Sequence, residues 1–489
     1  MSSGPLPAPG RTGVRITGDH YQWLIAWEGC LAALHDASRG APNPVVAVGV
    51  ETDSGNLDDV VLYRAQPPHT YMQVKYAVDS STPVNTDWLI APSKSSGPSI
   101  LRKIASTWKD LSADGGPVDL RIVTNRAPDP ADVLIAGRDA RTKLLLPRAS
   151  TQGPSSQRGQ ARAAWATAAD LDPIHLLQLL EVLVFDTSRE LQGVLEVITL
   201  KMLALGLRGD DAAVAAAADW VAAQVRSGYR RLEVGTIQQA VEDMGLHAGP
   251  ARAVLSVATL KPDPIAEDAA HALDWVDRFE GADAYSKRRP LSPATWQQLQ
   301  QDINAIPSHL VGVSGVLLTG SLRQATAFAV GASLRMVSGI DVAVVQRGQS
   351  WASEDRYDAP ITPAMTPCEI GNGPDLAVAI EVATTIGKDV ATYIREIDLP
   401  VGRLMILSPP DGPRDDSVSG ASAANALAVG VRDKVRRAVK GHRRVHLFLA
   451  GPMGLSLLLG HRWNRIAPTT AYEDLGATLG YEPAFTISA

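Results

Sequence analysis

Cysteine is almost missing from this chain: Cys30 and Cys368 are the only two in 489 residues, and neither has a histidine or cysteine beside it at metal-ligand spacing. That excludes a disulfide-built scaffold and a zinc finger or ribbon. Long apolar runs are also lacking. The longest, near residues 447–459, is broken by Gly451, Pro452 and Gly454, so no segment reads as a membrane span and no membrane partner is expected. The opening MSSGPLPAPGRTG has no apolar core, is expected to be disordered over residues 1–13, and does not read as a secretory signal. A reducing cytoplasm is the expected location. Excess positive charge is absent too. The formal net charge of -6 argues against binding nucleic acid by bulk attraction, though it leaves room for a locally basic cleft. The histidines form no triad with a serine, and Gly312, Val313, Ser314 and Gly315 precede a strand, so they are no nucleophile elbow.

What is present is an ordinary globular composition, 45% apolar and 20% charged, at a length that predicts two or three domains. Residues 19–35 place Trp23, Trp27, Leu31 and Leu34 at helical spacing, with Asp19 as the expected N-cap. β-rich runs follow at 45–51, 59–63 and 71–77, then a helix over 101–111 and a strand over 118–125. This is a small α/β core, taken as residues 14–155. Residues 156–270 read as a helical extension without clear strands, and residues 271–489 return to strands alternating with helices, the pattern of a mostly parallel sheet. Within that last part there is an internal echo: the strand ending at Gly320 leads into a helix holding Gly331, and the strand ending at Gly451 leads into one holding Gly460. Any two βαβ units share such a pattern, so the echo also reads as coincidence.

The residues with most chemical content are Glu51, the pair Asp58 and Asp59, and Gln73, Val74 and Lys75. A metal-dependent phosphodiesterase needs oxygen ligands for a hard divalent cation and a positive group near the attacked phosphate. Gln73 and Lys75 are two apart on one strand, hence on the same face, next to the Asp59 strand. Among the lysines, only Lys75 has an acid or amide two residues before it. The bland alternative is a solvated sheet edge with a surface ion pair. Glu28 on the first helix is either one more ligand or a solvated helix charge, and Asp53 reads as a turn residue.

The stretch from Gly18 to Gln22, then Val50 and Glu51, Asp58 to Val61 and Tyr71 to Lys75, resembles the PD-(D/E)xK nuclease domain of CBASS effectors, antiphage double-stranded DNA endonucleases that carry a SAVED domain. Trp108 and residues 122–125 fit the same domain, and residues 446–452 through Gly460 to 471–473 resemble SAVED. The resemblance implies an α/β multidomain protein: a restriction-endonuclease-like core with helical extension, then a SAVED domain of two fused CARF-like Rossmannoid units. It implies Mg²⁺ or Mn²⁺ held by Glu51, Asp59, Gln73 and the Val74 carbonyl, with Lys75 orienting the attacking water. It further implies activation by a cyclic oligonucleotide, typically a cyclic trinucleotide, from a partner nucleotidyltransferase, followed by homo-oligomerisation and cleavage of double-stranded DNA with little sequence preference. One departure is Gln73, where the general motif has an acid; its amide oxygen is a ligand without charge.

In the sensor half, Gly320, Ser321, Gly451, Pro452 and Met453 lie where strands end and helices begin, positions at which backbone N–H groups face a phosphate or merely close a tight turn. Arg323 and Lys388 read as phosphate contacts or as surface charge, and Trp351 and Tyr472 as base-stacking or core aromatics. Two rival readings remain open: a restriction-type nuclease whose C-terminal half recognises modified DNA or a protein, and a non-catalytic nucleotide sensor used as an adaptor.

Overall fold

A computed structural model describes residues 11–52, 59–92, 97–113, 115–145, 148–476 and 479–489. The chain forms two compact units, Met1–Met202 with Asp210–Ala248, and Leu203–Gly209 with Gly249–Ala489.

In the first unit the order is α1 (Arg11–Arg39), β1 (Val45–Val50), β2 (Val60–Arg64), β3 (Thr70–Lys75), α2 (Thr86–Ile90), α3 (Ile100–Ser112), β4 (Asp119–Thr124), α4 (Gln157–Ala169), α5 (Pro173–Val182), β5 (Leu183–Asp186), α6 (Leu191–Ala204), α7 (Asp211–Arg226), β6 (Arg231–Glu233) and α8 (Val234–Asp243). Asp19 lies well inside α1 rather than capping it, because the helix already begins at Arg11. Of the segment expected to be disordered, residues 1–10 lie outside the described residues and 11–13 are helical. The six strands form one sheet in the order β5-β4-β3-β2-β1-β6. β1, β2 and β3 pair antiparallel, whereas β3, β4 and β5 are parallel. α3 shows why such a segment folds as it does. Ser99 caps it by accepting from the Arg102 N–H, and Leu101, Ile104, Ala105 and Trp108, at helical spacing, bury one face. That face joins Leu120, Ile122, Leu179 and Phe185 in a common core.

Residues 156–248 are not a strand-free extension. β5 and β6 complete the two edges of the sheet. Their sequences gave no strand signal because LVFD continues an apolar run already helical in character, and RLE is only three residues long.

The second unit contains β7 (Ala253–Ala258), β8 (His271–Asp274), α9 (Trp296–His309), β9 (Gly315–Thr319), α10 (Gln324–Ser333), β10 (Asp341–Gln346), β11 (Gln349–Ala352), β12 (Ala364–Glu369), β13 (Asp375–Glu381), α11 (Gly387–Glu396), β14 (Val401–Ser408), α12 (Ala421–Ala438), β15 (Val445–Ala450), α13 (Met453–His461), β16 (Thr469–Gly476) and β17 (Gly480–Ile487). Its two sheets are β11-β10-β9-β7-β8 and β17-β16-β15-β13-β14-β12. In each, four neighbouring strands are parallel and the next is antiparallel, in the same sequence of crossovers. The echo between the glycine-bearing segments is therefore a repeat of topology. It moves the start of this unit from residue 271 to Gly249, since the first repeat needs β7 as the strand between β9 and β8. One core joins both repeats, with Val316, Phe328 and Val344 packed together with Val378, Leu447, Leu458 and Trp463. Among the described residues no helix is long and apolar enough to cross a membrane.

Candidate functional site

Strand register assembles the first site. Val50 pairs with Val60 and Val60 with Met72. One step further along, Glu51, Asp59 and Gln73 fall in a single row across β1, β2 and β3, and the Glu51 N–H donates to the Asp59 carbonyl at 3.2 Å. Asp59 and Gln73, opposite one another in the antiparallel pair, project from one face. Asp59 Oδ2 accepts from the Val74 N–H at 2.8 Å, from Lys75 Nζ at 3.2 Å and from the Gln73 side-chain amide. Lys75 Nζ also donates to the Val74 carbonyl at 3.2 Å. Gln22 on α1 fixes the row from behind by donating to the Asp59 carbonyl at 3.1 Å.

The Asp59 side chain is 21% exposed and that of Lys75 42%, so this ion pair contributes at most about 1 kcal/mol to folding. The cluster is open to solvent on the lysine side and closed at Gln73, which is buried. Glu51 has a left-handed backbone, φ 48°. Arg230 donates to its carbonyl and stands 3.7 Å from its carboxylate. Asp53 and Asp58 lie outside the described residues.

The donor set fits a hard cation. Lys75 places an ammonium between the Asp59 carboxylate and the Val74 carbonyl, so these oxygens already hold positive charge. Turning the Gln73 amide about its last torsion would present oxygen in place of nitrogen to the same point. Among the described residues no group of three or more His, Cys, Asp or Glu side chains gathers, so a cation here would rest on two carboxylates and neutral oxygens.

Glu28 is neither in that row nor solvated. It meets Arg189 at 2.6 Å and Lys201 at 3.7 Å, while Arg189 also reaches Asp186, which pairs with Lys143 at 2.7 Å. Burial pushes the Glu28 carboxyl up, but Arg189, Lys201 and Lys143 outweigh it and hold it below the usual range. The partners are over 100 residues away in sequence, so local pattern gave no signal for them.

The second site is the seam between the two repeats, where α10 and α13 cross at the C-terminal ends of the strands. A small cavity of about 10 Å³ lies there, lined by Gln324, Val382, Leu449, Gly451 and Ser456 among others. The helix starts are capped across the seam. Gln346 of the first repeat accepts from the Gly454 N–H at 3.1 Å, and Glu473 of the second accepts from the Ala325 N–H. The Gln324 amide oxygen accepts from Gly451 N–H at 2.9 Å. Glu473 is 4% exposed and its Oε2 has no hydrogen-bond partner. Burial drives its carboxyl up to about 8, against the opposing pull of Arg323 and the Ala325 N–H.

Gly451, Pro452 and Met453 lie at this seam: Pro452 precedes the first turn of α13 and Met453 begins it. Gly320, φ 93°, passes so close to β7 that a Cβ would lie 2.2 Å from the Val257 carbonyl oxygen, and the Ser321 carbonyl accepts from Thr259 and Leu260 N–H. Arg323 precedes α10 but spends its guanidinium on the Lys287 carbonyl, at 2.7 and 2.9 Å. Trp351, 2% exposed, is a core residue against Gly454. Tyr472 is also core: its ring stacks on Phe448 at 4.5 Å and its hydroxyl meets His446 at 2.8 Å. Lys388 is exposed on α11, and the start of that helix is already occupied by the Glu381 carboxylate, which accepts from Ile386 and Gly387 N–H. Gln324 and Gln346 escaped the sequence reading, and Glu473 entered it only as part of the SAVED resemblance, because a polar residue near a strand or helix end carries no distinctive pattern.

Within the second unit, residues 296–487 match the family described as the SMODS-associated and fused to various effectors sensor domain, SAVED. Among individual proteins, the chain is 26% identical over 212 residues to CD-NTase-associated protein 4 of Enterobacter hormaechei subsp. hoffmannii (strain UCI 50). That match takes in 42% of this chain and spans only 41% of the relative's length. Similar solved structures are the Cap4 SAVED/CARF-domain containing receptor of Acinetobacter baumannii with the cyclic trinucleotide 3'3'3'-cAAA (14% identity, 99% of this chain and 100% of that one, TM-score 0.42) and that of Moraxella osloensis (13%, 96% and 99%, TM-score 0.41).

Proposed function

We propose that this chain is a CBASS antiphage effector in which a SAVED sensor responds to a cyclic oligonucleotide, of the trinucleotide class, and thereby activates a metal-dependent double-stranded DNA endonuclease in the first unit. The reading is carried by one observation: Gln73, Val74 and Lys75 all converge on Asp59 Oδ2, in a row with Glu51. Glu51, Asp59, Gln73 and the Val74 carbonyl would hold Mg²⁺ or Mn²⁺. The ion would supply Lewis acidity at the scissile phosphate and lower the pKa of an attacking water. Lys75, on the solvent-open side of the row, would stabilise charge developing on the phosphate and orient the water. Asp59 positions the Lys75 ammonium, and α1 holds Asp59 through Gln22. In the sensor, the seam offers Gly451, Met453 and the amides of Gln324 and Gln346 to a ligand. Binding there would drive homo-oligomerisation, which gathers several nuclease units on one duplex and raises the effective concentration of DNA contacts in a chain of net negative charge.

The test is plasmid DNA with Mg²⁺ and a panel of cyclic di-, tri- and tetranucleotides. Cutting only with a cyclic oligonucleotide supports the proposal. Cutting regardless of ligand would indicate a restriction-type nuclease, and ligand binding without cutting an adaptor. Lys75→Ala should abolish cutting and leave ligand affinity intact.

A further inference from the structure

Charge in this acidic chain is unevenly placed. Between residues 432 and 444, RDKVRRAVKGHRR, there are seven Lys or Arg side chains and one acid, Asp433. The segment covers the last turns of α12 and the loop into β15. Because β13, β15 and β16 are parallel, it lies at the N-terminal ends of these strands, the opposite end from the helix starts at the seam. Arg465, in the loop leading to the neighbouring strand β16, joins the same end: Arg436 reaches the Asn464 side chain and carbonyl at 2.7 and 3.2 Å.

Part of this charge has a structural use. Arg432 and Arg436 share Asp433, and Arg443 lies on the buried carboxylate of Asp375. Cations in the last turn of a helix also complement its dipole, which accounts for Arg437. Neither reason covers Lys440 and Arg444, which lie beyond α12. Arg437, Lys440, Arg444 and Arg465 are exposed and form no ion pair among the described residues. Like charges held this close repel one another, so the cluster is a cost to the fold unless something negative meets it.

The surroundings discriminate between anionic partners. Protein interfaces have an apolar or aromatic centre, yet none of the exposed large apolar side chains of this unit falls within 432–444. Arginine and lysine without apolar company suit a regular line of phosphates instead. We propose that this end of the sensor domain is a docking surface for the phosphate backbone of duplex DNA, a proposal that rests on the nuclease reading for the identity of the polyanion. It places DNA and cyclic nucleotide at opposite ends of one domain.

The experiment uses the full chain, a fluorescent 30-base-pair duplex and EDTA to prevent cutting, with anisotropy read from about 50 to 200 mM salt. The triple variant Arg437→Ala, Lys440→Ala, Arg444→Ala should bind about 10²- to 10³-fold more weakly at 100 mM salt and lose about 3 from the slope of log affinity against log salt. The corresponding triple Glu variant should bind more weakly still, and both should unfold within a few degrees of wild type. Unchanged affinity and slope in both variants would overturn the surface. So would retention of poly-glutamate, but not of duplex, by the wild type. Plasmid cleavage run beside it separates the two readings: cutting by wild type with unaltered DNA binding by the variants removes only the surface. Loss of DNA binding by the variants of a chain that never cuts removes only the nuclease.

Discussion

Gly331 and Gly460 occupy equivalent places on opposite sides of one helix crossing. A Cβ on Gly331 would lie 2.1 Å from the Leu457 carbonyl oxygen and 2.8 Å from the His461 nitrogen; a Cβ on Gly460 would lie 2.1 Å from the Phe328 carbonyl oxygen and 2.9 Å from the Ala332 nitrogen. Each glycine thus presses on the residue three before its counterpart and on the one just after it. Two backbones approach this closely only where neither helix has a side chain.

Gly331→Ala should force the helices apart and strain the core joining both repeats. Overpacking of this kind typically costs about 1–3 kcal/mol. In a unit of this size the apparent melting temperature should fall by roughly 3–10 °C. Gly460→Ala should do the same, and the double variant should cost less than the two losses added, because one displaced helix relieves both contacts. Scanning fluorimetry of the three variants checks this.

Glu473 gives the sensor a distinctive response to pH. Its carboxyl is raised from 4.5 to about 8 in the fold, first by burial. The folded chain therefore retains a proton that the unfolded chain has released, and stability from this group is full below about 4.5 and declines as pH rises towards 8. Glu473→Gln keeps an acceptor for the Ala325 N–H without the acid. Its melting temperature should match wild type near pH 5 and exceed it at pH 8 to 9; a constant difference across that range would contradict the assignment.

The buried ions around Glu28 should behave in the opposite sense. The carboxyl is held below its ordinary range, so its contribution is present at neutral pH and lost as pH falls through that depressed value. Glu28→Gln leaves Arg189 with less compensating charge in a buried place, a change that costs about 3–5 kcal/mol when one partner of such a pair is removed. Urea unfolding should show the loss at pH 7 and a smaller one in acid.

Arg230 stands on Glu51 by its carbonyl and close to its carboxylate. Arg230→Ala should free that carboxylate, so that Mn²⁺ titrated by calorimetry binds a few-fold more tightly than to wild type, since one nearby positive charge is gone. Weaker Mn²⁺ binding would mean that Arg230 serves chiefly to hold the left-handed backbone at Glu51.

Much of the fold could be read in advance where the pattern was strong. The strands at β1, β2, β3 and β4 and the helix α3 fall within a residue or two of their expected positions, because β-rich runs bounded by turn residues and a helical spacing were both present. β7 did not announce itself: its short apolar run AVLSVA follows a series of helical segments, and periodicity alone does not separate such a run from a buried helix. The closeness of Asp59 to Gln73 and Lys75 was readable from strand order and the two-residue period. The placing of Arg230 and Arg189 was not, since each reaches its carboxylate partner across more than 150 residues of chain. Trp351 and Tyr472 illustrate a further limit: the residue type was visible, but whether a ring faces a ligand or its own core depends on neighbours supplied by distant strands.

The exchange of caps between Gln346 and Gly454, and between Glu473 and Ala325, makes the two repeats mutually dependent. Severing the chain between β11 and β12 would leave each fragment with a bare helix start and an uncovered glycine groove. Neither fragment should fold by itself, yet mixing the two should restore both.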